Sequence, residues 1–302
     1  MTPFVVVFWC LASGWLLRSK ILPTLSPGSP PGGQARYLAG DDPGVVAWTV
    51  QWNDLSIGWA CTQTDRTALG GLAVETRMHL DRLPIEDIVP AWMSVVTQNL
   101  LPAGDAGLDA HGHLAIDADG NVRGFDSVIQ FAGATDPVRL RGTIDTGTAR
   151  VQLRIGGMRY DATRQVPHLT TLGEEFSPHA TMPGLYQGRR WTVPVYSPLL
   201  AGNARFEILH AEVGPEEMLF WENHLVRVHP VAVRDDPAGH RPPRSRLWVD
   251  RTGRVLRQEA MLLGSRLTFV RRPEEAARRL AAAFGPPVTV DQDAPPPLEL
   301  AP

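Results

Sequence analysis

His111 and His113 are separated by one glycine, with Asp109 before them and Asp117 after. On a strand, that spacing sets both imidazoles on one face. A catalytic zinc centre takes three protein ligands and an open position, and nothing in the spacing fixes a third ligand here. A metal-dependent hydrolase built on His111 and His113 is therefore the minor reading, and two histidines in a Gly-rich loop entering a strand the main one. Asp117-Ala-Asp119-Gly-Asn121 imitates the start of a calcium loop, but the twelfth position counted from Asp117 is Val128, where such a loop needs Glu. Asp-Gly between two alternating stretches is ordinary turn chemistry. Nucleophilic chemistry has less to work with. The chain holds no Gly-x-Ser-x-Gly elbow and no Walker-type phosphate loop. Cys61 falls on the apolar face of the first hairpin pattern, where a buried thiol without a neighbouring cation is inert. Alternation is expected to set Cys61 and His79 on opposite faces. The chain reads as non-enzymatic, with no catalytic residue, metal or cofactor expected.

The aromatic residues are more informative. Seven tryptophans, Trp48, Trp52, Trp59, Trp92, Trp191, Trp221 and Trp248, lie in the body of the chain. Most are expected to be core, but a barrel that does not close leaves an apolar concave face, the usual kind of small-ligand site. Trp48, Trp59, Trp92, Trp191 and Trp221 are the candidates to line it. Arg189 and Arg190, next to Trp191, could offer a guanidinium–aromatic contact to a head group or partner. Arg139, Arg141, Arg150 and Arg154 form a cationic patch softened by Asp136 and Asp145, which reads as a solvated sheet face.

The elements that must position these groups are strands. Val46, Trp48, Val50 and Trp52 alternate with small or polar residues. Asn53-Asp54 supplies a turn, and Leu55, Ile57, Trp59 and Cys61 alternate again, which is a hairpin signal. The stretch LAIDADGNVRGFDSVIQF pairs two strands across Asp117–Asn121. In PVRLRGTIDTGTARVQLRIGG, Val138, Leu140 and Ile144 answer Val151, Leu153 and Ile155 across Thr146-Gly147-Thr148. One packed and one wet face mark an antiparallel sheet. Further strands are expected at 191–197, at 205–213, in a run from Met218 to Val233, and in a last hairpin turning at Arg251-Thr252-Gly253. About a dozen strands at this spacing suggest a barrel, half-barrel or sandwich. The stretch from Asp161 to Arg190 has little pattern and reads as a long loop. Two helices are expected, at Ile85–Leu100 and at Pro273–Phe284. The first carries Glu86 and Asp87 in its first turn and an apolar stripe including Trp92, and the second opens on a proline followed by two glutamates.

The ends set the context. Phe4 to Leu17 carries no charge and is closed by Arg18 and Lys20, which suits a signal-peptide core or a short anchor. Taken alone, the two cations would leave the following domain in the cytoplasm. Two charges are a small bias, and the expectation is an extracytoplasmic, periplasmic domain. The organisation read is a membrane segment at 1–22, a Pro/Gly linker at 23–44, a β domain at 45–284 and a Pro-rich tail at 285–302. With 29 basic against 32 acidic residues, the chain is not a basic nucleic-acid binder. Two cysteines exclude a disulfide framework. Oligomeric state is left open.

The long antiparallel meander, the helix after the third strand, the VQWNDLSIGWA hairpin and the terminal WVDRTGRVLRQE…SRLTFVRR hairpin together resemble the lipoprotein-carrier (LolA/LolB-like) half-barrel superfamily. The resemblance covers most of 45–272, rests on pattern, and carries no residue-level motif. It implies a mainly β half-barrel or open barrel, with one helix packed on the concave face and a C-terminal helix. It also implies a concave face that takes a lipid, an acyl chain or a lipoprotein. The expected function is a membrane-anchored envelope protein of that kind; the alternative is an interaction or scaffold module whose concave face is filled.

Overall fold

The computed structural model describes residues 44–84, 105–145, 147–165, 171–172, 178–196, 206–239, 241–262 and 264–283. Sixteen strands and one helix occupy them. The first meander holds β1 (Val45–Trp52), β2 (Leu55–Arg66), β3 (Leu72–Pro84), β4 (Asp105–Ile116), β5 (Val122–Phe131), β6 (Val138–Asp145), β7 (Thr148–Ile155) and β8 (Met158–Gln165). The second holds β9 (Thr171–Leu172), β10 (Arg190–Tyr196), β11 (Phe206–Val213), β12 (Glu217–Trp221), β13 (His224–Arg234), β14 (Ser245–Asp250), β15 (Val255–Leu262) and β16 (Ser265–Arg271), followed by α1 (Glu274–Ala282). All belong to one sheet in the order β8-β7-β6-β5-β4-β3-β2-β1-β16-β15-β14-β13-β11-β10-β9, with β12 paired only to β13. Every pairing is antiparallel except β9 with β10. The fold is mainly β, and the sheet does not close: β8 and β9 end the order without pairing to each other. The two meanders are joined where β1 pairs β16, Trp48 opposite Arg271 and Val50 opposite Phe269.

Turn chemistry explains the regularity. Asn53-Asp54 and Glu222-Asn223 are two-residue loops with φ of 47° and 69°, and of 48° and 62°, the doubly left-handed geometry that matches strand twist. Three other loops share one five-residue plan: Thr67–Gly71, Asp117–Asn121 and Asp250–Arg254. In each, the first N–H donates to the fifth carbonyl at 2.9 Å, and the fourth residue is a glycine with φ of 79°, 88° or 87°. The first side chain then accepts the fifth N–H, at 3.0 Å on Thr67, 2.8 Å on Asp117 and 2.9 Å on Asp250. The Asp-x-Asp-Gly-Asn stretch is such a turn, with its first carboxylate engaged by its own backbone. Burial alone would raise the Asp250 carboxyl, but hydrogen bonds from Thr252 and Arg254 outweigh it and hold the group below its usual range.

The face bearing Trp48 and Val50 is the inner one. Its main cluster joins Val46, Trp48, Val50 and Trp52 of β1 to Trp191 and Val193 of β10, Val213 of β11, Val231 of β13 and Phe269 of β16, so the curled sheet packs on itself. On the other side, α1 covers β1 and β2, with Ala277 against Ala47 and Cys61 and with Trp59 beside them. Cys61 therefore does not follow Ile57. The β1–β2 register shifts at Val50/Gln51, where Gly58 meets Val50 and Ser56 meets Gln51. This bulge leaves Ile57 in the inner core and turns Trp59 and Cys61 outward, on the same side as His79. The expected opposite-face placement of Cys61 and His79 is thus corrected. The cause is the strand crossing at Gly58, where an added Cβ would lie 2.0 Å from the His79 carbonyl oxygen.

Other expectations are corrected as well. The stretch after Asp161 is not all loop, since Asp161–Gln165 completes β8. The run from Met218 to Val233 is two strands about the Glu222-Asn223 turn. His111 and His113 sit inside β4, not in a loop leading to it. The expected helix at 85–100 and the segments 1–22, 23–44 and 285–302 lie outside the described residues.

A Gly58→Ala variant should lower stability by about 1–3 kcal/mol, because backbone must move to admit the methyl group. Gly157→Ala, with nothing within 4 Å of its Cβ position, should stay near the parent. Urea midpoints of the two variants check this.

Candidate functional site

The inner face divides into two halves of different character. In the half built by β1–β3 and β10–β16, the apolar side chains meet one another and the segment 178–182 lies across them. The His179 N–H donates to Gln258 Oε1 at 2.9 Å, Met182 N–H to the Gly253 carbonyl at 2.7 Å, and Arg271 Nη1 to the Ala180 carbonyl at 2.7 Å. The Arg271 guanidinium also stands 5.8 Å from the Trp48 ring centroid. Burial pushes Arg271 down to about 10. This half is filled by the protein itself.

The half built by β5–β8 is different. Cross-strand pairing aligns Ile129 with Val138 and Ile155, and Leu140 with Leu153 and Tyr160. Ile129 and Phe131 only partly reach the main cluster. Cover on this face is uneven toward the end of the sheet: Ala149 and Val151 on β7 are buried, whereas Met158 and Tyr160 on β8 stand at 55% and 59% exposure. The result is an apolar face that is packed at β4 and open at β8. Its side chains could hold an apolar chain laid across the strands.

The outer face of β3–β8 is a polar ladder. His79 Nδ1 meets Asp109 Oδ1 at 2.6 Å and its Nε2 faces Asp81 at 3.4 Å, while its ring stacks on Trp59 with centroids 5.8 Å apart. The hydrogen bond to Asp109 holds His79 above the ordinary imidazole range. His111 Nε2 lies 2.8 Å from Glu75 Oε1, which also accepts from Arg77 Nη2 at 2.8 Å. Arg141 Nε donates to Asp126 Oδ2 at 2.7 Å. His111 and His113 do share a face, as their spacing implied, but among the described residues no group of three or more His, Cys, Asp and Glu is placed to hold a metal ion. Burial pushes the Cys61 thiol up to about 11, so it is protonated at neutral pH.

The residues expected to line a ligand site do not converge. Trp48 and Trp191 are inner and buried, at 0% and 3% exposure. Trp59 is outer, under α1. Trp221 is also outer, where its Nε1 donates to the Arg271 carbonyl at 2.9 Å and Arg254 lies 5.9 Å from its ring. Arg189 stands 5.7 Å from the Trp191 ring and donates to the Gly184 carbonyl at 2.6 Å, whereas Arg190 points away and pairs with Glu212 at 2.5 Å. Trp92 lies outside the described residues. The residues that sequence reasoning passed over are Met158 and Tyr160. Their signal was the alternation Met158, Tyr160, Ala162 against Arg159, Asp161, Thr163, short enough to be lost next to a patternless stretch.

No protein-family model and no curated protein matches the chain. Among solved structures, it is similar to a β-barrel-like protein of the domain of unknown function DUF1849 from Brucella abortus. The identity is 12%, over 76% of this chain and 95% of that one, with a TM-score of 0.43. A DUF1089 family protein from Pseudomonas aeruginosa is similar at 12% identity over 65% of this chain and 87% of that one, with a TM-score of 0.32. Among the described residues no helix is long and apolar enough to cross a membrane.

A raised folded-state pKa means that His79 contributes stability while it is protonated in both states, below about pH 6.5. That contribution is lost as pH rises through the folded value. In an NMR titration His79 should titrate above the free imidazole, and Asp109→Asn should bring its midpoint down and flatten the pH dependence of stability across that window.

Proposed function

We propose that this chain is a non-enzymatic binding protein that holds an apolar ligand, an acyl chain or the lipid part of a lipoprotein, on the inner face of β5–β8. In this reading residues 1–22 attach it to a membrane and 23–44 act as a spacer, so that the domain works in the bacterial envelope in the manner of the LolA/LolB-like carriers. The observation that carries the proposal is the split inner face. One half is sealed by its own side chains and by residues 178–182. The other, with Leu140, Leu153 and Tyr160 in one cross-strand row, runs out to Tyr160 at 59% exposure. An apolar surface of that kind is where a soluble protein gains by taking up an apolar partner. The carrying residues are those of β5–β8, in place of the tryptophans.

A second reading, an interaction module that takes no small ligand, is favoured by the filled half, where Trp48 and Trp191 are buried at 0% and 3% exposure.

The two readings separate on a fluorescent fatty-acid probe titrated into the full chain in detergent at low micelle concentration. The carrier reading expects saturable binding that Leu153→Lys weakens about tenfold or more, because a cation would have to be buried against the acyl chain. Trp191→Phe should leave the affinity close to the parent. Unchanged melting of Leu153→Lys confirms that the fold persists. Saturable binding that ignores Leu153→Lys, or no binding by the parent, would leave the interaction module as the better reading.

A further inference from the structure

We infer that β8 is a homodimerisation edge, and that two copies of this chain join by antiparallel β8–β8 pairing about a two-fold axis at Tyr160. The inference is independent of the ligand reading. It starts from the backbone. β8 pairs with β7 on one side, and among the described residues no strand pairs with its other side. An unpaired edge presents N–H and C=O groups to any strand that fits, and natural proteins blunt such edges with proline, bulges, short strands or charged side chains; the charges on this edge, Arg159 and Asp161, are of opposite sign and so can also answer a second copy. Residues 158–162 contain no proline, and β7–β8 runs from Ile155–Met158 to Thr148–Gln165 without a register shift.

The direction of the free groups follows from the turn. Ile155 and Met158 flank the two-residue loop Gly156-Gly157, so they form a hydrogen-bonded pair. Alternation along an antiparallel ladder then aims the peptide groups of Met158, Tyr160 and Ala162 at β7 and those of Arg159 and Asp161 at the open side. A partner strand must present its own outward-aimed residues opposite Arg159 and Asp161.

A second β8, antiparallel and centred on Tyr160, does so. Arg159 then faces Asp161 of the other copy, Asp161 faces Arg159, Met158 faces Ala162, and the two Tyr160 rings meet at the axis. Shifting the centre to Asp161 or to Arg159 sets like charges against each other, which directly opposed strand positions penalise. The centre at Tyr160 therefore satisfies the charges, the apolar positions and the hydrogen-bonding phase together.

The surrounding charge supports the same partner. Arg139, Arg154 and Arg159 lie in one cross-strand row. Within the protomer, among the described residues, this row meets a carboxylate at Asp161, whose Oδ2 accepts from Arg159 Nε at 2.7 Å and whose charge also acts on Arg154. The neighbouring row, Asp126, Arg141, Gln152 and Asp161, carries the carboxylates. Two-fold pairing at Tyr160 runs the arginine row of one copy into the carboxylate row of the other, so that a repulsive row in the protomer becomes a compensated one in the dimer. It also makes the two inner faces of β5–β8 continuous across the Tyr160 pair.

Sedimentation of the full chain in detergent, with charge exchange, tests this. The parent should be a reversible dimer. Arg159→Asp alone and Asp161→Arg alone should each weaken it by about tenfold or more, since each sets two like-charge pairs across the axis. The double variant carrying both exchanges should dimerise like the parent. Tyr160→Cys should give a disulfide-linked dimer on mild oxidation, because a non-hydrogen-bonded antiparallel pair holds its Cα atoms about 4.5 Å apart. Arg159→Cys should give no such product above the parent's own level. A parent that stays monomeric, single exchanges without effect, or a double exchange that fails to restore association while melting like the parent would each overturn the inference.

Discussion

The pairing of β1 with β16 is the constraint on which the rest of the molecule depends. Without it the chain would be two separate meanders, each with an apolar face and no partner. With Trp48 beside Arg271 and Val50 beside Phe269, the two are one sheet, and its curl brings β10, β11 and β13 over β1. The seam is fixed from its turn as well, because Asn53 Oδ1 accepts the Arg266 N–H at 2.9 Å and Asp54 pairs with the Arg266 side chain. These contacts join residues more than two hundred positions apart. A topology closed by such distant contacts assembles slowly, since the loop-closure cost is met before the contacts reward it.

The seam also decides where the core is dense. Close to it the inner side chains have neighbours on the sheet and across from it, and the segment 178–182 is tied in through Ala180, Met182 and His179. Away from it, toward β8, Ile129 and Phe131 still reach the main cluster, while Met158 and Tyr160 at the end of the sheet stand exposed. Exposure is greatest at Met158 and Tyr160 on the end strand, whereas Ala149 and Val151 on β7 remain buried, so the opening is confined to the Met158–Tyr160 end of that face. Leu153 and Val193 are both ordinary strand residues; position in the curl makes one partly buried and the other core. On the outer face, a similar contrast separates Cys61, sealed by α1, from the exchangeable polar ladder of β3–β8.

Much of this was legible in the sequence. Period-two alternation identified the meander, the Asn53-Asp54, Asp119-Gly120 and Thr252-Gly253 turns placed hairpins at β1–β2, β4–β5 and β14–β15, and the proline–glutamate start marked α1. What alternation could not show was a bulge. At Gly58 one extra residue inverts the pattern, so Trp59 and Cys61 read as core companions of Ile57 when they lie on the opposite face. The tryptophans misled for a related reason. Residue type indicates that an indole will be covered, but whether by the protein's own strands, as for Trp48, or by a helix, as for Trp59, depends on pairings between distant residues. Met158 and Tyr160 were the converse case. Their alternation is present but brief, and their standing at the end of the sheet follows from topology, which no local window contains.

The position of β1 has a mechanical side. Every residue from Val45 to Trp52 has a partner on β2 or lies in the bulge against it, and Trp48 to Trp52 have partners on β16 too. A pull entering at Gly44 would run along the strand, across hydrogen bonds that stand perpendicular to it. Those bonds would have to fail together in shear, unlike the rungs of an edge strand, which can open one after another. The strand best placed to bear load is therefore the one that enters the sheet first from the amino-terminal side.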